Sequence, residues 1–380
     1  MLKIRVNKKA ASRLAAGHPW VYRSDLIDAE TAEPGSVVTV TDPAGRPQGV
    51  AHYSSTSLIA LRLLGRSLDY RQRLEAAQAH RDRHVRGTNS YRLVYGEADQ
   101  LPGLIIDRYA DYFVLQAQTQ GMDKGTPEIV EALTALYQPK GIVARNEAAV
   151  RAKENLPQEI RILSGDIPEQ MEATLNNLRW QVNLLKGQKT GIFLDQRENY
   201  KAILPFSRGK ALDCYTCTGG FALHLASVCE SVEGIDSSEE ALKTAEWNRQ
   251  ANNIANVTWR EAEVQNILAS YNSARRRYDT IVLDPPAFAK SRGSVDHALR
   301  AYREINTRAL KLLAPSGTLV SCSCSHHISE ATLLEVVAQA SLEANRPLRV
   351  LARLTQAQDH PTLLTVPETN YLKCLVFEIA

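Results

Sequence analysis

Apolar residues along the first 66 positions recur with the short period of half-buried strands. Ser36-Val37-Val38-Thr39-Val40 and Gly49-Val50-Ala51-His52-Tyr53 flank an Asp42-Pro43-Ala44-Gly45 turn, and residues 57–63 form a further strand pattern. A small all-β module is expected there. From Ser67 to Arg86 the period changes: Leu68, Leu74 and Ala77 stand among charged residues in a pattern that predicts a connecting helix. Residues 91–180 are mixed. Strands are expected at 91–95 and 112–117, and a helix from Pro127 to Tyr137, opened by proline in its first turn. Beyond about residue 205, strand patterns at 211–215, 231–236, 257–260, 280–284 and 318–323 alternate with helical ones. That alternation predicts an α/β fold, a doubly wound parallel sheet with helices on both faces and a ligand at the carboxyl ends of its strands.

Composition adds partners and compartment to this picture. The 380 residues are 44% hydrophobic, enough for two or three cores. No apolar run approaches the roughly 18 residues of a membrane span, and the N-terminus lacks the apolar stretch of a signal peptide, so a cytoplasmic protein is expected. Net charge is only +3, yet residues 1–95 carry 15 basic against 8 acidic side chains, which suits a polyanion-binding end module. The bland alternative is a solvated basic surface. All six cysteines lie between positions 214 and 374, which does not suggest a disulfide framework. Cys214-x-x-Cys217 lacks a second pair at zinc spacing, so no metal is expected.

The first strand of the alternating region leads into Asp213-Cys214-Tyr215-Thr216-Cys217-Thr218-Gly219-Gly220-Phe221 and then a helix. Gly219 and Gly220 permit a tight turn and close backbone approach. The stretch does not match Gly-x-Gly-x-x-Gly, so the ligand expected is a nucleoside with a charged tail, such as S-adenosylmethionine, rather than a dinucleotide. The second strand ends at Asp236, whose carboxylate is placed to accept both ribose hydroxyls; Ser237-Ser238-Glu239-Glu240 then supplies helix-capping residues. Asp213, Tyr215, Thr218, Gly219, Gly220 and Asp236 are therefore cofactor candidates, against the alternative of a structural turn. Glu263, just past the third strand, is the candidate for the adenine amino group, or else an ordinary solvent-facing glutamate.

Two further strand ends carry chemistry. Asp284-Pro285-Pro286-Ala287-Phe288 removes two backbone donors and stiffens the turn that presents Asp284. The acid can bind a base edge or the cofactor while Phe288 stacks, with Pro285 and Pro286 against the same base. The fifth strand ends in Ser321-Cys322-Ser323-Cys324-Ser325-His326-His327. Carbon 5 of a pyrimidine is a poor nucleophile, and thiolate addition to carbon 6 makes it an enamine-like one. Cys324 stands where such a thiolate belongs. Cys322 shares its face one pleat deeper, and a buried cysteine is most often simply a small hydrophobe. His326 and His327 are left unassigned.

Together these residues resemble the large-subunit ribosomal RNA cytosine-5 methyltransferases that carry an N-terminal PUA domain. The resemblance rests on Gly17-His18-Pro19-Trp20-Val21-Tyr22, on the stretch from Gly96 to Tyr109, on Gln188 to Arg197, on the strand-end motifs above, and on Asp359-His360-Pro361 and Tyr371-Leu372-Lys373. It implies a PUA RNA-binding domain over 1–66, a small central α+β domain over 67–180 and a Rossmann-like class I methyltransferase domain over 181–380. It further implies that Gln188, Phe193, Asp195 and Arg197, on a hairpin before the sheet, line the S-adenosylmethionine pocket, that Cys324 is the nucleophile, and that the partner is 23S ribosomal RNA or a large-subunit assembly intermediate. Three positions depart from the pattern. The family more often has Asp where Glu263 stands, and Cys322 is an extra cysteine. Pro286 occupies the place where other cytosine-5 RNA methyltransferases have a second cysteine, which leaves the base for the carbon-5 proton unidentified. Two alternatives stay open, a methyltransferase acting on an exocyclic amine and a non-catalytic RNA-binding assembly factor. The oligomeric state, a homodimer included, is also open.

Overall fold

Residues 1–27, 32–187, 190–289 and 292–380 are described by a computed structural model. The chain divides into two units. One comprises Met1–Asn177, Val182–Leu194 and Gln358–Thr369, the other Leu178–Gln181, Asp195–Ala357 and Asn370–Ala380.

The first unit holds two five-stranded sheets. Its N-terminal part runs β1 (Lys3–Arg5), α1 (Lys8–Ala15), β2 (Trp20–Tyr22), β3 (Val37–Thr41), β4 (Pro47–Tyr53) and β5 (Ile59–Leu63), ordered β1-β3-β4-β5-β2 in the sheet. Val38, Val40, Ala51, Tyr53 and Leu61 turn inward onto one apolar cluster, as the alternation requires. The β-rich module is not all β, however. Asn7 caps α1 by accepting from the Ala10 N–H, and Ala10 and Leu14, four residues apart, bury one side of the helix. Two helical turns are too few for the period to stand out in sequence.

A long helix follows, α2 (Tyr70–His84), with Asp69 accepting from the Gln72 N–H as its cap. The expected helix over 67–86 is trimmed at its start by that cap. Then come β6 (Ser90–Tyr95), β7 (Leu104–Tyr109), β8 (Tyr112–Ala117), α3 (Gln120–Lys124), α4 (Thr126–Tyr137), β9 (Gly141–Asn146), α5 (Val150–Lys153) and β10 (Glu159–Gly165). The second sheet is ordered β10-β9-β8-β7-β6. Two short strands, β11 (Met171–Leu175) and β12 (Leu178–Val182), fall where the units divide.

The second unit begins with α6 (Arg197–Ala202), β13 (Lys210–Cys214), α7 (Gly220–Leu225), β14 (Ser231–Asp236), α8 (Glu239–Ala251) and β15 (Val257–Glu261). It continues with α9 (Val264–Ser273), β16 (Tyr278–Leu283), α10 (Val295–Leu312), β17 (Leu313–Ser323), α11 (Glu330–Ala344), β18 (Leu348–Leu354) and β19 (Lys373–Ile379). These strands form one sheet, ordered β15-β14-β13-β16-β17-β19-β18. The five strands expected from sequence are all parallel, and β19 and β18 extend the sheet antiparallel. Helices α9, α10 and α11 bury Leu268, Tyr302, Ile305, Leu333 and Val337 in one cluster with Leu212, Ile281 and Leu319 of the sheet. From β13 the strand order runs one way to β14 and β15 and the other way to β16 and β17. A doubly wound sheet opens a crevice at the carboxyl ends of such a reversal, which here means the ends of β13 and β16.

Candidate active site

The turn after β13 is shaped by backbone strain. Tyr215 (φ 65°), Cys217 (φ 50°) and Gly219 (φ 94°) all lie in the left-handed region, where side chains other than glycine are costly. Hydrogen bonds hold them there. The Thr216 hydroxyl (2.5 Å) and the Ala222 N–H (2.9 Å) both donate to Oδ2 of Asp213, and the Cys217 N–H donates to Oδ2 of Asp236 at 2.9 Å. The other oxygen of Asp236 accepts the Ser238 N–H at 2.9 Å, which ties the turn to the start of α8. Gly220 opens α7 against the Tyr200 ring: a Cβ there would lie 2.5 Å from the ring, so only glycine fits.

Asp213 is fully buried, and its Oδ1 has no hydrogen-bond partner among the described residues. Burial pushes its carboxyl up to about 7. The Thr216 and Ala222 hydrogen bonds oppose that rise, and the neighbouring Asp284 and Asp236 carboxylates reinforce it. A buried polar atom left open at the switch point of a doubly wound sheet is the mark of a ligand seat.

The buried phenol of Tyr200, on α6, brings the predicted residues together. Burial raises its pKa well above the ordinary value, and the charges that add to the rise come from Asp284, Asp195, Cys217 and Asp213. Asp195 accepts the Tyr371 hydroxyl at 2.6 Å through Oδ2, and its carbonyl accepts the Ala357 N–H. Asp195 and Arg197 do not sit on the expected hairpin. Leu194–Gln196 is a single 3-10 turn running straight into α6, held by those two bonds from distant segments. Phe193 belongs to the first unit, and Gln188 lies outside the described residues. Thr218 offers its carbonyl to the Asn248 amide at 3.0 Å. Glu263 is exposed at the first position before α9 and makes no capping bond; its charge is felt by Tyr215.

The turn after β16 is pinned at both ends. The Asp284 N–H donates to the Cys214 carbonyl, and the Ala289 N–H donates to the Ser325 hydroxyl at 3.4 Å. Pro285 is buried, Pro286 is exposed, and Phe288 packs on Tyr302 with ring centroids 4.9 Å apart. Tyr302 reaches across to the end of β17, donating to the Ser323 hydroxyl at 2.9 Å. Its raised pKa records burial first, with Cys324 and Asp284 as the charges facing it.

The cysteines separate by environment. Cys214 and Cys322 are fully buried, and burial pushes both thiols well above the ordinary value; for Cys322 the cross-strand partner Cys374 adds to the effect. Burial and the Asp236 charge push Cys217 up to about 12. Cys324, one residue beyond β17, is half-buried. Sequence reasoning missed Tyr200 and Tyr302, which carry no periodic signal. It also gave no role to Lys373, although an isolated charge in the apolar run Leu372–Phe377 is a signal in itself.

The crevice therefore presents an acidic cluster and an open buried carboxylate oxygen at the switch point, beside a half-buried thiol. Residues 135–378 match the S-adenosylmethionine-dependent methyltransferase family and residues 4–66 match a PUA-like domain, and the chain belongs to that class of methyltransferase. More narrowly, it is 35% identical to the Ribosomal RNA large subunit methyltransferase I of Shewanella frigidimarina, over 100% of this chain and 99% of that one. It is also 35% identical to the protein of the same name from Photobacterium profundum, over 94% of each. Its fold is that of SMU.776, a methyltransferase crystallised with SAH (TM-score 0.86, 20% identity), and of an S-adenosylmethionine-dependent methyltransferase from Streptococcus mutans (TM-score 0.83, 21% identity). Both are covered in full.

S-adenosylmethionine is the cofactor of this class, and the acidic cluster with the open Asp213 Oδ1 fits its cationic tail. Asp236→Ala is expected to weaken its binding at least tenfold. It removes a charge-assisted acceptor worth about 1.5–3 kcal/mol and frees the Cys217 and Ser238 N–H groups that shape the turn. Calorimetric titration measures this directly, and unchanged affinity would mean the ribose lies elsewhere.

Proposed function

We propose that the protein methylates carbon 5 of a cytosine in 23S ribosomal RNA, with Cys324 as covalent nucleophile. The observation carrying this reading is the contrast at the end of β17. Cys322 is sealed against Cys374, whereas Cys324 is half-buried where its charge is felt by Tyr302, the ring on which Phe288 packs. The rRNA substrate is supported by the names of the relatives, and RNA holding by the PUA-like match over 4–66 and the excess of basic residues in 1–95. The reading retains the three-part division at residues 66 and 180.

When bound, S-adenosylmethionine supplies a methyl carbon made electrophilic by the adjoining sulfonium. Asp213, Tyr215, Thr218, Gly219, Gly220, Asp236 and Glu263 would hold it, with Gln188, Phe193, Asp195 and Arg197 carried over from the family resemblance. The chain's own chemistry is at the base. Asp284 binds the cytosine edge, the Pro285-Pro286 turn limits where that edge can sit, and Phe288 stacks on the ring. The Cys324 thiolate adds to carbon 6, and its electron pair makes carbon 5 nucleophilic. After methylation, a base or water takes the carbon-5 proton, the C–H electron pair restores the 5,6 double bond, and the sulfur leaves as a thiolate.

Substituting 5-fluorocytidine into 23S ribosomal RNA tests the scheme, because fluorine on carbon 5 cannot leave as a proton. A protein–RNA adduct that survives denaturing electrophoresis is expected. Its absence, with methyl transfer to ordinary RNA intact, would favour the exocyclic-amine reading instead.

A further inference from the structure

Lys373 opens β19 and is buried, only 8% exposed. Its amino group donates to two backbone carbonyls, those of Ser325 and Tyr371, both at 2.7 Å. An ammonium has three N–H groups, so one donor remains. A buried ammonium is costly unless an anion neutralises it. Among the described residues, the one group whose field favours the charged form of Lys373 is Cys324, and no carboxylate does so. The other titratable groups around the pair are His326 and His327 on the loop after β17, Tyr302 on α10, Asp284 after β16, and Cys374 and Cys322 on the adjoining strands. His326 stacks on Tyr371 with ring centroids 5.4 Å apart, and burial, with the Lys373 charge, disfavours its protonated form. Lys373 is therefore the cation available to a thiolate at position 324.

We propose that Lys373, as an ammonium, holds the sulfur of Cys324 as a thiolate in the resting protein. The S–H bond breaks, its proton passes to water at the half-buried sulfur, and the ammonium neutralises the thiolate left behind. The two carbonyls and the sulfur then satisfy all three N–H groups of the ammonium. Burial pulls the Lys373 pKa down to about 8, opposed by Cys324, so near pH 7 the group is still mainly an ammonium whose charge holds a neighbouring thiol below its ordinary value of roughly 8.5. Lys373 is a positioning and activating residue here, and this role deepens the reading of Cys324 as nucleophile on which it rests.

The test is the pH dependence of Cys324 alkylation by iodoacetamide in the full-length protein, read site by site by mass spectrometry and without RNA. Lys373→Gln keeps an N–H donor for the carbonyls but removes the charge; Lys373→Arg keeps the charge. The wild-type midpoint is expected below that of an ordinary thiol. Lys373→Gln should raise it by a unit or more, slowing modification at pH 7 about tenfold or more. Lys373→Arg and His326→Gln should leave it near wild type, and methyl transfer by Lys373→Gln should recover as pH rises. An unchanged midpoint in Lys373→Gln would overturn the proposal, as would an equal rise in Lys373→Arg or a midpoint that follows His326. Should Lys373→Gln not fold, a wild-type midpoint at or above 8.5 would overturn it equally. A shifted midpoint together with full methyl transfer by a Cys324→Ala protein would leave the ion pair standing and sink the cytosine-5 reading instead.

Discussion

Methyl transfer by Cys324→Ala is expected to fall by about 10³-fold or more, the scale on which covalent enzymes respond to loss of the nucleophile. The half-burial of Cys324 keeps the packing loss small and cofactor affinity near wild type, so any loss of stability should come from the Lys373 ammonium that loses its anion. Cys322→Ala should behave in the opposite way. Its sulfur is sealed against Cys374, so truncation leaves a small cavity costing about 1 kcal/mol while turnover stays within a few-fold of wild type. On 5-fluorocytidine RNA, the adduct should persist in Cys322→Ala and vanish in Cys324→Ala. Quantitative methylation assays on both variants, beside thermal melts, separate the cases. Full activity in Cys324→Ala would end the thiolate mechanism and leave an amine methyltransferase. Loss of the adduct in Cys322→Ala alone would keep the chemistry and move it to the other sulfur.

Asp213→Asn should cost the protein its cofactor without costing it its fold. The variant retains an oxygen for the Thr216 hydroxyl and Ala222 N–H, but it replaces the open Oδ1 with an amide that cannot accept a hydrogen bond. Cofactor affinity should drop at least about tenfold, the loss of one charge-assisted acceptor. Stability should respond differently. The carboxyl titrates at about 7 when folded against an ordinary 3.8, so between those values the folded state binds more protons than the unfolded one. Stability of the cofactor-free protein therefore falls as pH rises through that window, by up to about 4 kcal/mol for this group alone. Asparagine carries no such proton. The variant should melt at or above the wild-type temperature at pH 8, and its advantage should shrink toward pH 4. Melting curves taken across this range check the sign. Wild-type cofactor affinity in the variant would show that Oδ1 does not face the ligand, and parallel pH curves would show that the buried carboxyl does not carry the dependence.

Much of this arrangement is legible in the sequence, because it follows from local periodicity and local turn chemistry. The strands ending at Cys214, Asp236 and Leu283 show as short β-rich runs, and Asp213, Asp236 and Asp284 follow as the carboxylates at their ends. The helix α2 shows as well, since Leu74 and Ala77 bury at helical spacing. Helix α1 did not show, being two turns long, and Asp195, expected on a hairpin, lies in a 3-10 turn instead. The bonds holding that turn come from Tyr371 and Ala357, more than 160 positions away in the chain.

What the sequence determined by itself is the strand–helix alternation of a doubly wound sheet, the acids at its strand ends and the pair of thiols on one face of β17. Each depends on a residue's own strand or turn and its immediate neighbours. The choice between those thiols is a tertiary matter. Period-two alternation puts Cys322 and Cys324 on one face and position along the strand favours Cys324, but the antiparallel pairing of β19 is what covers the first with Cys374 while the second stays half-buried. The same pairing carries Lys373 to the end of β17, donating to the Ser325 carbonyl beside Cys324, and the apparent misfit of a lysine in an apolar strand becomes a buried cation in need of an anion. A long-range partner decides burial, and burial decides which groups can be charged.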